Sequence, residues 1–250
     1  MKKTVILGLI LAVYSGTALA QSDSTQPKKK NVFGQILEKV GQAASGGSLS
    51  SDEIASGLKE ALRIGISKGS DQASAVDGYY KNSLIKILMP PEAQKVESAL
   101  RKIGMGKQVD QFILSLNRSA EDAAKKAKPI FLNALTSMTI QDAIGILRGE
   151  KNAATQYLKK TTSTELLAAF TPVIDSTLKK NSATRYYGDL VNTYNKLPIV
   201  TQKVDPDLTH YAATKAVDGI FTLVEQEEKR IRENPAARVT DLLKKVFGQQ

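Results

Sequence analysis

Apolar residues recur every three or four positions along this chain, in blocks separated by Gly, Pro or a Ser/Thr/Asp/Asn cap. That is the pattern of successive amphipathic helices. The densest block spans 106–149. Val109, Phe112, Ile113, Leu116, Ala120, Ala123, Ala124 and Ala127 form one stripe there, and Asp110, Asn117 and Glu121 lie beside it, one step round the helix. A second apolar turn covers 129–138. Thr139 to Asp142 then reads as a fresh helix start leading into Ile144, Ile146 and Leu147.

Upstream, Phe33, Ile36, Leu37 and Val40 predict a short helix over 32–44, ended by Gly46 and Gly47. Ser50 and Glu53 have the spacing of a capping box. The helix they open points Ile54, Leu58, Ala61 and Leu62 inward and stops near 65–69, with 71–80 helical again. Residues 83–89 are a short apolar run that reads as a strand, a buried extended chain or a helix end. Pro91 suits a first helical position and opens a helix to Gly104. Downstream, helices are expected from Asn152 and from a second capping box, Thr162 to Glu165, with Pro172 kinking or dividing the element. Another covers 183–196. Asp205-Pro206 opens a helix that is apolar on both sides and so belongs in the middle of a bundle, and Asn234-Pro235 repeats the cap signal before Val239, Leu242, Leu243 and Val246. No stretch alternates with period two. The pattern predicts an all-α, single-domain bundle of about ten helices over 31–250.

The first twenty residues fall outside that pattern. Lys2 and Lys3, an apolar run from Val5 to Val13 and the small-residue box Ala18-Leu19-Ala20 have the order of a secretory signal peptide, shorter than a membrane span. Cleavage after Ala20 would leave a periplasmic or secreted chain. It would begin with a basic leader, 21–30, rich in Ser, Gln and Pro, that reads as disordered. The chain has no cysteine, so stability must come from burial rather than disulfides. The formal net charge is +10, which falls to +8 without Lys2 and Lys3. Lys28, Lys29 and Lys30 concentrate part of it and could touch an anionic membrane surface, or act as a solvated spacer. The remaining cations are spread along helix faces without interleaved aromatics, so no nucleic-acid partner is expected.

Catalytic motifs are missing. His210 is the only histidine, which excludes a Ser-His-Asp triad built on a second one and any His-rich metal site. On a helix beside Tyr211 it reads as an ordinary half-buried residue. No phosphate loop and no acidic calcium loop occurs, so no cofactor or metal is expected. Two polar constellations remain. One is Asn117, Arg118 and Glu121 with Asp142, and the other is Glu227, Glu228, Arg232, Asn234 and Arg238. One reading makes the two groups each other's partners in a buried ion-pair network. A second makes Asn117, Arg118, Glu121, Asp142, Arg232 and Arg238 a polar pocket for a small anionic ligand, with Glu228 and Asn234 supporting it. A third makes Glu121 and Asp142 the paired carboxylates of a hydrolase.

Four strings, Gly57 to Leu62, Leu116 to Glu121, Met138 to Gly149 and Ile231 to Gly248, together resemble a bacterial exported family, domain of unknown function 4197. The resemblance covers nearly the whole chain after the leader. It implies a helical fold in the cell envelope, and no activity, cofactor or partner. The expectation is an exported, non-enzymatic binding or interaction module. The alternatives are the hydrolase and a structural protein resting on the envelope through its leader.

Overall fold

A computed structural model describes residues 49–180, 187–188, 192, 195–196, 203, 207–238 and 240–248. Among them lie eight α-helices and no strand: α1 (Ser51–Ser74), α2 (Gln94–Lys102), α3 (Gly106–Ala124), α4 (Ala127–Ser137), α5 (Ile140–Arg148), α6 (Ala153–Lys180), α7 (Leu208–Glu233) and α8 (Asp241–Gly248). Short 3-10 turns, Pro91–Ala93 and Pro235–Ala237, precede α2 and follow α7. The expected signal peptide, the basic leader and the helix over 32–44 lie outside the described residues, as does most of the one over 183–196.

Helix α7 is the centre, as its two apolar sides require. It packs against α6, α1 and α3, burying Leu208, Ala212, Ala216, Ile220, Phe221, Leu223, Val224 and Ile231. Around it the interior is built from Ala, Leu and Ile, with Phe131 meeting Phe221 edge to face at 5.6 Å. Small residues set how closely helices approach. A Cβ on Gly69 of α1 would stand 3.4 Å from the Val224 backbone nitrogen of α7. A Cβ on Gly57 would come within 2.6 Å of Val246 Cγ2, so the bare Gly57 backbone is what seats α8.

Among the described residues eight helices stand against about ten expected over 31–250, because two expected helices lie wholly or mostly outside them and two expected breaks do not occur. Helix α1 runs through Gly65 and Gly69 to Ser74. These glycines sit at a helix crossing, where tertiary packing outweighs their poor propensity. Helix α6 runs unbroken through both Thr162 and Pro172. Leu158, Thr162, Leu166, Phe170, Ile174 and Leu178 are buried at four-residue intervals, a stripe that advances about 40° per step and so meets different neighbours along the helix. Thr162 is 1 % exposed and donates to the Leu158 carbonyl at 2.6 Å, so it is an interior residue and not a cap. The caps of the last two helices also shift. Asp207, whose side chain accepts from His210 N at 3.0 Å, opens α7, and Thr240 opens α8. Asn234 instead closes α7, its amide donating to the Arg230 carbonyl. His210 is exposed, not half-buried.

Candidate functional site

The chain leaving α1 does not continue as the helix expected to Tyr80. It reverses at Asp77, whose φ is 68°, and Gly78 packs so tightly that a Cβ would stand 2.2 Å from the Gln72 carbonyl. Asp tolerates the left-handed region and Gly leaves room for the carbonyls. Beyond the turn, Ile85 N and Lys86 N donate to the Asn82 carbonyl at 3.2 and 2.8 Å in a second turn, and 86–90 continue as a strap outside helix and sheet, with Ile85, Ile87 and Met89 buried. A strap without helix or sheet partners must satisfy its backbone elsewhere.

Helix α3 supplies those partners. Asn117 is fully buried; its Oδ1 accepts from Ile87 N at 2.8 Å and its Nδ2 donates to the Ile87 carbonyl at 2.8 Å and to Ile113 O at 2.7 Å. One amide side chain thus does for Ile87 what a neighbouring strand would. One turn on, Glu121 is 4 % exposed, and its Oε1 accepts from both Tyr79 N (3.1 Å) and Tyr80 N (3.2 Å). Its other oxygen receives Arg118, which reaches on to Asp77 at 2.6 Å. Lys81, 2.8 Å from the same carboxylate, and then Arg118 hold Asp77 below the usual carboxylate range. The Tyr79 hydroxyl donates to the Ala216 carbonyl of α7 at 2.6 Å, and burial pushes its phenol up, keeping it a donor. Gly219 makes the space, since a Cβ there would fall 2.6 Å from the Tyr79 ring.

The second constellation sits where α5 ends and α6 begins. Helix ends leave unpaired carbonyls at one terminus and unpaired amides at the other. Glu228 of α7, 5 % exposed, accepts from Ala154 N (3.0 Å), Thr155 N (2.9 Å) and the Thr155 hydroxyl (2.8 Å), closing the first turn of α6. Arg232, one turn along, donates to the Ile146 carbonyl (2.8 Å) and the Leu147 carbonyl (3.3 Å) at the end of α5. The two side chains are also paired at 3.0 Å. Anion at an N-terminus and cation at a C-terminus is the arrangement both helix dipoles favour. Arg238 folds back to cap α7 itself, donating to the Ile231 carbonyl at 3.2 Å and the Arg232 carbonyl at 2.8 Å. Asn234 starts that return, its Oδ1 accepting from Ala236 N at 2.9 Å.

Asp142 joins neither group. It closes a capping box with Thr139, accepting from its amide (3.0 Å) and hydroxyl (2.7 Å). The hydroxyl and then the amide hold its carboxyl below the ordinary range. So the structure unites Asn117, Arg118 and Glu121 on one strap, and Glu228, Arg232, Asn234 and Arg238 at one junction. No hydrogen bond or ion pair among the described residues joins the two sets. Along α7, Glu228 lies about 18 Å beyond the Ala216 carbonyl that anchors the strap. The hollow of about 440 Å³ at the end of α1 is bordered by Gln72, Ala75, Asp77, Gly78, Lys81 and Ser83 among others, so the first set reaches it only through Asp77, the partner of Arg118, and the second not at all. No group of three or more His, Asp or Glu among the described residues could hold a metal ion. Sequence reasoning missed Asp77, Tyr79 and Thr155. The Asp-Gly pair at 77–78 is a turn signal that could have exposed the first two.

The model of a family described as Protein of unknown function (DUF4197) matches residues 48–248. The chain belongs to this family. The family's span begins two residues before the Ser50 cap and ends with α8, so it coincides with the helical unit described above. All four strings that carried the resemblance map onto the contacts just described, Met138 to Gly149 through the Asp142 capping box and the carbonyls that receive Arg232. Gly57 seats α8, Leu116 to Glu121 holds the strap, and Ile231 to Arg238 holds the α5–α6 junction and caps α7. Neither the curated proteins nor the solved structures contain a match.

Proposed function

We propose that this DUF4197 chain is an exported, non-enzymatic interaction module. Its buried polar residues maintain the bundle, and its outer surface meets the partner. One observation carries this reading. Every buried carboxylate, carboxamide and guanidinium in the two constellations hydrogen-bonds backbone groups of its own chain, and the remaining bonds go to each other or to the Thr155 hydroxyl. A ligand pocket built on Arg232 and Arg238 would have to take these donors away from the ends of α5 and α7. A hydrolase using Glu121 and Asp142 would have to release one from two buried amides and the other from its cap. The export half rests on the N-terminal sequence, with Lys2, Lys3, the run from Val5 to Val13 and the Ala18-Leu19-Ala20 box.

Two measurements test it. Tagged at the C-terminus and expressed in a Gram-negative host, the chain should be recovered from the periplasm or medium with the mass of residues 21–250. A full-length cytoplasmic product would end the export reading. In a thermal-shift screen against small anionic metabolites, no compound should raise the melting temperature of the wild type through Arg232. A stabilising compound whose effect vanishes in Arg232→Ala would restore the pocket in place of the junction.

A further inference from the structure

Six large apolar side chains are notably exposed among the described residues: Val76, Leu84, Leu88, Ile103, Met105 and Ile140. Two of them, Ile103 (71 %) and Met105 (37 %), lie within three residues at the turn between α2 and α3. The turn reads Lys102-Ile-Gly-Met-Gly-Lys107. Its backbone is fixed. Gly104 has φ 87°, its amide donates to the Arg101 carbonyl at 3.2 Å, and the Met105 amide donates to the Leu100 carbonyl at 2.9 Å. Half-buried Leu100 and buried Val109 anchor the two arms, and α2 packs chiefly on α3. Nothing comes within 4 Å of a Cβ built on Gly104, so the tip stands clear of the bundle. Ile103 and Met105 are therefore held outward by a closed turn, with an exposed lysine on either side.

Charge sets this turn apart from exposed Val76, Leu84 and Leu88. Lys102 and Lys107 make no ion pair among the described residues, whereas Arg101 next to them is neutralised by Glu97 and Asp110. Around Val76, Leu84 and Leu88 the nearby cations are committed, Lys81 to Asp77 and Lys86 to the face of Tyr80 at 4.2 Å. An apolar pair between free lysines fits a bilayer interface that offers acyl chain below and lipid phosphate at the rim.

We propose that the 102–107 turn is a membrane-contact tip, seating Ile103 and Met105 among the headgroups of an anionic bilayer with Lys102 and Lys107 on lipid phosphates. The proposal rests on the interaction-module reading and names its partner class. The contact is peripheral and salt-sensitive, since two lysines and two side chains do not make a permanent anchor.

The test is cosedimentation of the mature chain with vesicles of phosphatidylglycerol or of phosphatidylcholine. Binding should be selective for phosphatidylglycerol and weaken as salt rises. The pair Lys102→Ala and Lys107→Ala should reduce it about thirty-fold, and Ile103→Ser with Met105→Ser should reduce it as well. Both losses should persist when Lys28, Lys29 and Lys30 are replaced by Ala, which removes the leader's contribution. Because the chain has no cysteine, Ile103→Cys gives a single labelling site that needs no large change at the turn. A polarity-sensitive dye there should shift to the blue on phosphatidylglycerol vesicles, and the same dye at Lys151→Cys should not. The tip is overturned by equal binding to both lipids, by no binding, by binding lost only with the leader lysines, or by an unshifted dye. It is also overturned if the Ile103→Ser, Met105→Ser variant instead dissociates a self-associated species in sedimentation. A tip that fails in a chain still recovered from the periplasm leaves the interaction-module reading standing. A chain retained in the cytoplasm sinks that reading whatever the vesicles do.

Discussion

At the scale of single residues, hydrogen-bond supply decides what each polar side chain does. Asn117 serves both backbone groups of Ile87 from a fully buried position. Asn117→Ala would leave a buried amide and a buried carbonyl unpaired, each worth about 1–3 kcal/mol. Urea unfolding should therefore show a loss of about 2–4 kcal/mol, and Asn117→Asp should lose at least as much, because its carboxylate keeps the acceptor for Ile87 N but sets a buried charge against the Ile87 and Ile113 carbonyls. Ser70 is the opposite case. It is 2 % exposed and its hydroxyl makes no hydrogen bond. Ser70→Ala should leave stability unchanged or raise it by about 1 kcal/mol, read as an equal or higher urea midpoint. A clear drop would mean that the hydroxyl has a partner.

At the scale of elements, close approach and end-capping explain why a helix sits where it does. Helix α8 lies on α1 because Gly57 has no side chain to meet Val246. Gly57→Ala gains up to about 1 kcal/mol of helix propensity, against about 1–3 kcal/mol for overpacking, so a small net loss is expected. Gly57→Leu should undock α8, visible as rapid amide exchange confined to 241–248. Adding Val246→Ala should restore part of the Gly57→Ala loss, and a strictly additive pair would argue against this contact. Most helices were legible from periodicity, because amphipathic stripes and caps are local signals. The merged helices were not. Gly65, Gly69 and Pro172 carry local stop signals and Thr162 a local start signal, and burial against α7 and its neighbours overrides all four.

At the scale of the whole molecule, the sequence located the important polar residues but not their partners. Asn117 and Glu121 were recognisable as polar groups bordering an apolar stripe, and Glu228 with Arg232 as an i,i+4 pair. Their actual partners are backbone amides and carbonyls, which have no sequence signature, so pairing the two constellations with each other was the natural inference from side chains alone. The same architecture sets an acid limit. Asp77 and Asp142 have depressed folded-state pKa values, so their contribution is present above the unfolded carboxylate range of about 4 and is lost as pH falls through their lower folded values. Urea midpoints should fall through that window, and Asp142→Asn should flatten the fall. A midpoint that rises on acidification would contradict the sign.

The central claim is that buried carboxylates and an amide of two helices hold the backbone of other segments. Native-state amide exchange reads this directly at Tyr79, Tyr80, Ile87, Ala154 and Thr155. None of these amides has a backbone partner of its own in a regular helix turn, so without the side chains they should exchange nearly as fast as open chain. The account predicts strong protection at all five. It also predicts selective loss at Tyr79 and Tyr80 in Glu121→Met, and at Ala154 and Thr155 in Glu228→Met, which remove the acceptor oxygens. Open-chain exchange at these amides in the wild type would contradict it.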